Sequence, residues 1–224
     1  MSTHAEVEHA VAADWGGGTL PYRVGHKKLG MWLFIVSDAL TFSALLIGYS
    51  YVRLSSAQWA TPFSFSPSIL FSTTMTLCLL SSSFTMVMAV KASAHGNRRV
   101  ARRWIGGTML GGLAFLVLHI YEWSHLISEG LRPFGLSPGS KFAHEWAERW
   151  PNASPLFGAT FFAITGLHMF HVFTGVLYLG GVALTIRKRT HEDVEISGLY
   201  WHFVDLVWMF VFPMIYLLSV DFGR

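Results

Sequence analysis

Long apolar stretches alternate with short polar ones along the chain after the first twenty-odd residues. Five of these stretches reach or approach the roughly 20 residues that a helix needs to cross a ~30 Å hydrocarbon core. They are Leu29–Tyr51, Ile69–Val90, Trp104–Ile127, Leu156–Ile186 and Leu199–Val220. The pattern predicts an all-α integral membrane bundle of five transmembrane helices.

The segments outside the predicted spans are short, with one exception. Residues 1–27 form a polar, glycine-rich tail in which no apolar core with a small-residue cleavage site occurs, so we expect no cleavable signal peptide. The five-helix membrane domain then comprises residues 28–224. In the longest connection, Phe142–Trp150 has the spacing of a short amphipathic helix on the membrane surface. Pro213 predicts a kink in the fifth span.

The composition supports a membrane protein and excludes several other classes. Hydrophobic residues make up 52% of the chain and charged residues 13%, whereas typical soluble chains carry about 25% charged residues. The net charge of +3 is too small and too dispersed to indicate a nucleic-acid partner. The single cysteine, Cys78, cannot form a disulfide within the chain.

Lysine and arginine are distributed unevenly between the two ends of the predicted spans. Eleven lie in the tail and in the connections after the second and fourth spans, whereas five lie on the opposite side. Short loops rich in these residues stay in the cytoplasm. We therefore expect a cytoplasmic N-terminus and a C-terminus outside.

Three acidic residues, Asp38, Glu122 and Asp205, fall inside the predicted spans. Holding a charge at mid-membrane costs at least ~2.5–3.5 kcal/mol on insertion scales. Asp38 is the deepest of the three, about 14 Å from the inner end of its span at a helical rise of about 1.5 Å per residue. Each acid is interpreted either as a carboxyl that joins helices by hydrogen bonds, which we favour, or as part of a proton path.

The helical neighbours of Asp38 suggest which way it faces. Thr41, Leu45 and Gly48 share one face of the first span with it, and this face is partly polar and small. We expect the face to pack inward, against other spans or against a partner subunit. If Asp38 only provides a hydrogen bond, Asp38→Asn should preserve assembly and turnover.

Histidines form a second group of candidate site residues. His168 and His171 are three residues apart, which places both rings on one helical face, and His202 stands in the same relation to Asp205. These side chains and His119 could form interhelical hydrogen bonds, bind a metal or a haem, or relay protons. We favour hydrogen bonding, because polar side chains on packed membrane helices usually bond to one another.

Three stretches resemble the signature segments of subunit III of the haem-copper respiratory oxidases. They are Lys28–Phe42, Phe157–His171 and Tyr200–Trp208, the last of which contains the specific run Tyr-Trp-His-Phe-Val-Asp with Trp201. A fourth stretch, Ala114–Glu122, supports the resemblance.

Two residues depart from the pattern of that family. Asp38 stands where the family usually has an intramembrane glutamate, and His119 stands where it usually has a glutamine. Many members have seven helices, and the chain resembles the five-helix bacterial form. Because it has no counterpart of the first two helices, we expect a groove along its first spans that acyl chains occupy, with an arginine or histidine at the rim meeting phosphate.

The resemblance implies a non-redox subunit of a terminal oxidase in the bacterial inner membrane. The complex would reduce oxygen to water with electrons from cytochrome c or quinol and translocate protons. The partners would be the catalytic subunit I and subunit II, which hold the haem and copper. This chain would bind phospholipid and support assembly and proton uptake, with no catalytic or metal-binding residue of its own. The intramembrane residues related to polar contacts, lipid or protons would be Asp38, Glu122, His168, His171, Trp201, His202 and Asp205.

Two alternatives remain open at this point. One is an accessory protein of nitric oxide reductase from the same family. The other is a free-standing di-haem membrane cytochrome built on His119, His168, His171 and His202, because imidazoles on different helices can sandwich a haem. Only the cytochrome would show a Soret band as an isolated chain.

Overall fold

Five long helices form one bundle in the computed structural model, which describes residues 25–221. All five are long and apolar enough to cross a membrane, as the sequence predicts. A sixth, short helix, α4, lies in the longest connection. The tail over residues 1–24 lies outside the described residues. The helices are α1 (His26–Ser55), α2 (Leu70–Ala94), α3 (Arg98–Glu129), α4 (Lys141–Arg149), α5 (Leu156–Thr185) and α6 (His191–Val211).

The helices extend beyond the apolar stretches at several ends. The last one begins at His191 rather than at Leu199. Thr190 caps this helix: its hydroxyl accepts the backbone N–H of Asp193, and the Asp193 carboxylate accepts the backbone N–H of Thr190. Hydropathy follows the thickness of the bilayer, whereas capping determines where a helix starts, so the sequence prediction placed this boundary too late.

Short elements surround the ends of the helices. Residues 63–64 pair in parallel with residues 220–221, and residues 131–132 pair antiparallel with residues 135–136. The strands are β1 (Phe63–Ser64), β2 (Leu131–Arg132), β3 (Gly135–Leu136) and β4 (Val220–Asp221). The irregular helical turns are Phe65–Ile69, Ile186–Lys188, Phe212–Tyr216 and Leu217–Ser219. We call the end of the bundle with the four strands and α4 the hairpin face, and the opposite end the tail face.

The predicted amphipathic helix is present as α4. Its first turn is capped by the Ser140 hydroxyl, which accepts the backbone N–H of Ala143 at 3.2 Å. Trp146 on its apolar side is buried, and its ring lies 6.1 Å from that of Phe157 on α5. This contact fixes α4 against the bundle.

Pro213 marks an irregularity in the last span, as the sequence predicts. The regular α-helix ends at Val211, and the chain continues as a wider, π-helical turn over Phe212–Tyr216. Proline has no N–H to donate to the carbonyl of Met209, four residues before it, and its ring clashes with that carbonyl, so the regular hydrogen-bond pattern breaks where α6 ends.

The helices differ in how much of their surface they bury. α2 packs against α3 and α6, α3 also against α5, and α5 against α6, whereas α1 packs mainly along α6 and α5. The buried residues of α1 are Ile35, Phe42 and Tyr49, which recur every seven residues. Consequently α1 is an edge helix that contacts the bundle along one narrow seam.

The prediction that Asp38, Thr41, Leu45 and Gly48 form an inward face of α1 is wrong in part. Asp38 does point toward the bundle, but Thr41 and Gly48 are exposed. The contacting seam continues through Phe42 and Tyr49 instead. The larger apolar side chains at these positions fill the space beside α5 and α6, so they determine how the helix is rotated.

Two adjacent glycines allow α3 to approach its neighbours closely. A Cβ atom on Gly111 would lie 2.6 Å from Cβ of Ser82, and a Cβ atom on Gly112 would lie 2.5 Å from the ring of Trp201. By contrast, a Cβ atom on Gly106 of the same helix would meet nothing within 4 Å. Small residues therefore permit close helix packing at the first two positions, whereas the third position has room for a side chain.

Basic residues gather on the tail face. Lys27 and Lys28 at the start of α1 form ion pairs of 2.9 and 2.7 Å with Asp193 and Glu195 on α6. Arg98, which opens α3, donates a hydrogen bond to the carbonyl of residue 187 in the connection between α5 and α6. The three connections that hold most of the lysines and arginines therefore meet at one end of the bundle.

Candidate functional site: the intramembrane polar groups

Asp38 and His171 form the most direct contact between ionisable groups inside the bundle. Oδ2 of Asp38 on α1 lies 2.8 Å from Nε2 of His171 on α5, and the two side chains are only 15% and 11% exposed. The ring of Phe42 lies 5.3 Å from the imidazole. The edge helix is thus joined to the bundle by a polar contact within an apolar seam.

The hydrogen bond of the second His171 nitrogen shows which ring nitrogen carries a hydrogen. Nδ1 lies 2.8 Å from the carbonyl oxygen of Leu167, and because a carbonyl can only accept, Nδ1 must carry a hydrogen. Nε2 then either accepts a hydrogen bond from a neutral Asp38 carboxyl or, as part of an imidazolium, donates one to the carboxylate. Either form holds one proton between the two residues and has no net charge, which lowers the cost of burial.

In the oxidase complex that the resemblance implies, we expect Asp38→Asn to assemble normally and to leave the pH profile of oxygen consumption parallel to that of the wild type between about pH 6 and 9. The amide can donate to Nε2, and the backbone carbonyl beyond Nδ1 cannot pass a proton on. Asp38→Leu should destabilise the bundle by about 1–3 kcal/mol, because it leaves Nε2 without a partner. A deficit of Asp38→Asn that grows with pH would contradict this structural role.

Glu122 is held between two hydroxyl groups. The Ser72 hydroxyl on α2 donates to Oε1 at 2.8 Å, and the Tyr216 hydroxyl beyond α6 donates to Oε2 at 2.6 Å. All three residues are buried. The carboxyl group therefore links α2, α3 and the segment after α6 at one point.

A cavity of about 460 Å³ reaches Glu122 from the hairpin face. Its wall contains further polar side chains, among them Ser68, His125, Glu129 and Glu145. His125 and Glu129 lie 3.7 Å apart on successive turns of α3. The Glu122 site is thus adjacent to a cavity with ionisable side chains in its wall, whereas the Asp38–His171 contact lies within an apolar seam.

His168 and His119 are enclosed by aromatic rings. Both are fully buried, and their rings lie 4.9 and 5.6 Å from the ring of Trp208 and 5.6 and 5.4 Å from that of Phe115. Within the described part of the chain, none of the four ring nitrogens has a hydrogen-bond partner. Although His168 precedes His171 on the same side of α5, the two imidazoles thus have different surroundings.

His202 and Asp205 lie where α6 packs against α2. Nδ1 of His202 is 3.1 Å from the Ser83 hydroxyl, and this hydroxyl is also close to the Asp205 carboxyl. Oδ1 of Asp205 has no hydrogen-bond partner among residues 25–221. The serine hydroxyl therefore bonds to one of the two ionisable groups that the sequence places one turn apart and lies near the other.

Trp201 is a packing residue at the centre of the bundle. It is fully buried, and its Nε1 donates to the Ser82 hydroxyl at 3.0 Å. Its ring lies against Gly112 on α3 and Gly175 on α5. One side chain thus contacts α2, α3 and α5 simultaneously.

Sequence reasoning missed the hydroxyl partners of these groups. The run Ser81–Ser83 inside an apolar span was a usable signal, because two of its members bond to Trp201 and His202. No comparable signal marks Ser72 or Tyr216. Their contact with Glu122 depends on where the separate helices meet.

Metal binding has little geometric support in the described structure. Residues 25–221 contain no group of three or more histidine, cysteine, aspartate or glutamate side chains arranged to hold a metal ion. The histidines that the cytochrome alternative requires are divided between the aromatic cluster, the contact with Asp38 and the contact with Ser83.

Comparisons with known proteins agree with this architecture. The family model described as Cytochrome c oxidase subunit III matches residues 143–220. The chain is 30% identical over 201 residues to cytochrome c oxidase subunit 3 of Bacillus subtilis, covering 87% of each chain. It is 30% identical to cytochrome c oxidase subunit 3 of Thermostichus vulcanus over 94% of each chain, and 31% identical to cytochrome bo(3) ubiquinol oxidase subunit 3 of Pseudomonas putida over 86% of each.

The fold and these matches define a multi-pass bacterial membrane protein in which polar side chains join five helices. The chain belongs to the subunit III family of the haem-copper respiratory oxidases. Members of this family are non-redox subunits of oxidase complexes. The expected resemblance is thereby confirmed, and the nitric oxide reductase and di-haem cytochrome alternatives are not favoured.

Proposed function

We propose that this chain lies beside the catalytic subunit I of a bacterial terminal oxidase that also contains subunit II. The complex reduces oxygen to water with electrons from cytochrome c or quinol and translocates protons, and its haem and copper are held by the partner subunits. One observation carries this proposal: the correspondence with subunit 3 of both classes of oxidase extends over 86–94% of each chain. This subunit supports assembly, lipid binding and proton uptake.

Purification from the native membrane in a mild detergent tests the proposal. An affinity tag on this chain should recover the other oxidase subunits together with their haem absorption, and stripping the partners away should remove the Soret band from the tagged chain. A Soret band that stays with the isolated chain would support a cytochrome instead. Recovery of the chain without any haem protein would contradict the proposed complex.

The orientation in the membrane is also part of the proposal. The basic connections meet on the tail face, through the contacts of Lys27, Lys28 and Arg98. Because short basic loops stay in the cytoplasm, we place the tail face in the cytoplasm and the hairpin face outside. A thiol introduced at Arg99, in a Cys78→Ser background, should react with an impermeant maleimide only after the cells are opened.

A groove along the edge helix supports the proposed binding of lipid. It lies between α1 and α6, has a volume of about 440 Å³, and is lined almost entirely by apolar side chains. Ser50 lines it near the hairpin face, and Arg53 lies one turn further on. Arg53 bonds to Tyr49, to Ser219 and to a backbone carbonyl. Since these acceptors are neutral, the guanidinium charge can also meet the phosphate of a phospholipid whose acyl chain occupies the groove.

The second prediction tests this groove. Ser43 lines the groove and is exposed, so Ser43→Phe should fill part of it and displace an acyl chain. Native mass spectrometry of the complex in mild detergent should then show about one phospholipid fewer than the wild type. Ser81→Phe, on an exposed position of α2, is the control of equal size. Equal lipid retention by both variants would show that the groove is not a lipid site.

A further inference from the structure

His202 differs from the other buried ionisable side chains in its exposure. His119 and His168 are fully buried and Asp38 is closed off against His171, whereas His202 is partly exposed on the outer surface of the bundle. Its Nδ1 is held by the Ser83 hydroxyl at 3.1 Å. Its Nε2 has no hydrogen-bond partner within the described residues.

The ion pairs of the tail face establish the depth of His202. Lys27 pairs with Asp193, and His202 follows Asp193 along the same helix, about 14 Å further at a rise of about 1.5 Å per residue. Asp38 lies at a similar height above Lys27 on α1. Its partner Ser83 lies about 10 Å inside the tail-face end of the apolar stretch of α2 at the same rise. His202 therefore lies in the tail-face half of the ~30 Å hydrocarbon core, where bulk water is scarce.

Apolar side chains surround this imidazole. Leu80 and Val87 lie one turn before and one turn after Ser83 on α2, and Met209 follows His202 on α6 by two turns. All three are exposed. We call this surface of Leu80, Ser83, Val87, His202 and Met209 the α2–α6 face. It is apolar except for a single polar contact at its centre.

We propose that the α2–α6 face is the surface on which a membrane-spanning helix of another oxidase subunit docks, with a hydrogen-bonding group opposite Nε2 of His202. Acyl chains can cover the leucine, valine and methionine side chains, but they offer nothing to the imidazole. Only a polar group on a protein helix satisfies both parts of this surface at that depth. The inference rests on the proposed function, because it needs a partner subunit in the same complex.

Photo-crosslinking in the intact oxidase complex tests the location of the face. Benzoylphenylalanine is placed at Leu80 or Met209 on the face, and at Leu177, an exposed position on α5, as the control. Illumination should join the first two variants to another subunit of the complex, identified by mass spectrometry, and should join the Leu177 variant to lipid. Crosslinks from Leu80 and Met209 to lipid alone, or to a second copy of this chain, would overturn the proposal.

Two substitutions at His202 test the polar contact itself. His202→Phe keeps an aromatic ring and removes the hydrogen bond, whereas His202→Gln retains a donor and an acceptor. Loss of one intramembrane hydrogen bond should raise the dissociation constant of this subunit roughly 3- to 30-fold, as measured by its retention in the complex across a detergent series. The phenylalanine variant should show this loss and the glutamine variant much less of it. Equal retention of wild type and His202→Phe would contradict the proposed contact.

Different results would disprove the proposed function and the proposed docking surface. If tagged wild-type chain recovers no haem-containing partner, the proposed function itself is wrong. If it recovers the complex but the crosslinks to another subunit come from Leu177, the chain is an oxidase subunit and the docking surface lies elsewhere.

Discussion

Gly112→Val is expected to prevent the bundle from assembling stably, because the added side chain would meet a residue that cannot move away. A Cβ atom at this position would lie 2.5 Å from the ring of Trp201 and 2.9 Å from Val176. Trp201 is fully buried and bonded through Nε1 to Ser82. Overpacking a core commonly costs about 1–3 kcal/mol, and the branched side chain extends beyond the Cβ atom that already collides.

Gly106→Val is the matched control for this effect. It introduces the same side chain into the same helix, at a position where a Cβ atom meets nothing within 4 Å. Thermal unfolding of the detergent-solubilised complex, followed by size-exclusion chromatography, should show a large loss of stability for Gly112→Val and little for Gly106→Val. Equal losses would assign the effect to the helix propensity of valine rather than to the contact with Trp201.

Glu122→Leu is expected to destabilise the bundle by about 1–3 kcal/mol, because it leaves the buried Tyr216 hydroxyl without its acceptor. Ser72 is less affected, since its hydroxyl also lies 3.2 Å from the carbonyl of Ser68. Glu122→Gln retains an acceptor for the tyrosine and should behave nearly as the wild type. The midpoint of thermal unfolding in detergent measures the stability of the wild type and of both Glu122 variants.

A double-mutant cycle separates the hydrogen bond from general packing. Tyr216→Phe removes the donor, so Glu122→Leu combined with Tyr216→Phe should cost less than the sum of the two single substitutions. The coupling should disappear when Tyr216→Phe is combined with Gly106→Val, which lies elsewhere in the bundle. Strict additivity of Glu122→Leu and Tyr216→Phe would show that the two groups do not depend on each other.

The position of Glu122 separates it functionally from Asp38. Glu122 lines a cavity with both apolar and polar side chains that opens on the hairpin face, whereas Asp38 contacts His171, whose other nitrogen is bonded to a backbone carbonyl. Glu122 therefore has further ionisable neighbours in its cavity, whereas the carbonyl beyond His171 cannot pass a proton on. Substitutions at the two acids therefore test different properties of the subunit.

The sequence alone determined the class and the number of spans, because a hydrocarbon core of fixed thickness imposes a fixed length of apolar helix. It also predicted α4 and the irregular turn at Pro213, since amphipathic spacing and the missing N–H of proline are local properties. The start of α6 was predicted too late, because the capping residues Thr190 and Asp193 are polar and carry no hydropathy signal.

The partners of the intramembrane groups were decided only by the tertiary structure. Asp38 contacts His171 rather than a residue of its own helix, and Glu122 meets Tyr216 from the far end of the chain. Helical periodicity places residues on faces, but it does not say which faces of which helices meet, or how far one helix is rotated against another. On α1 that rotation was set by Phe42 and Tyr49, whose large side chains fill the seam, and not by the smaller and more polar face of Thr41 and Gly48.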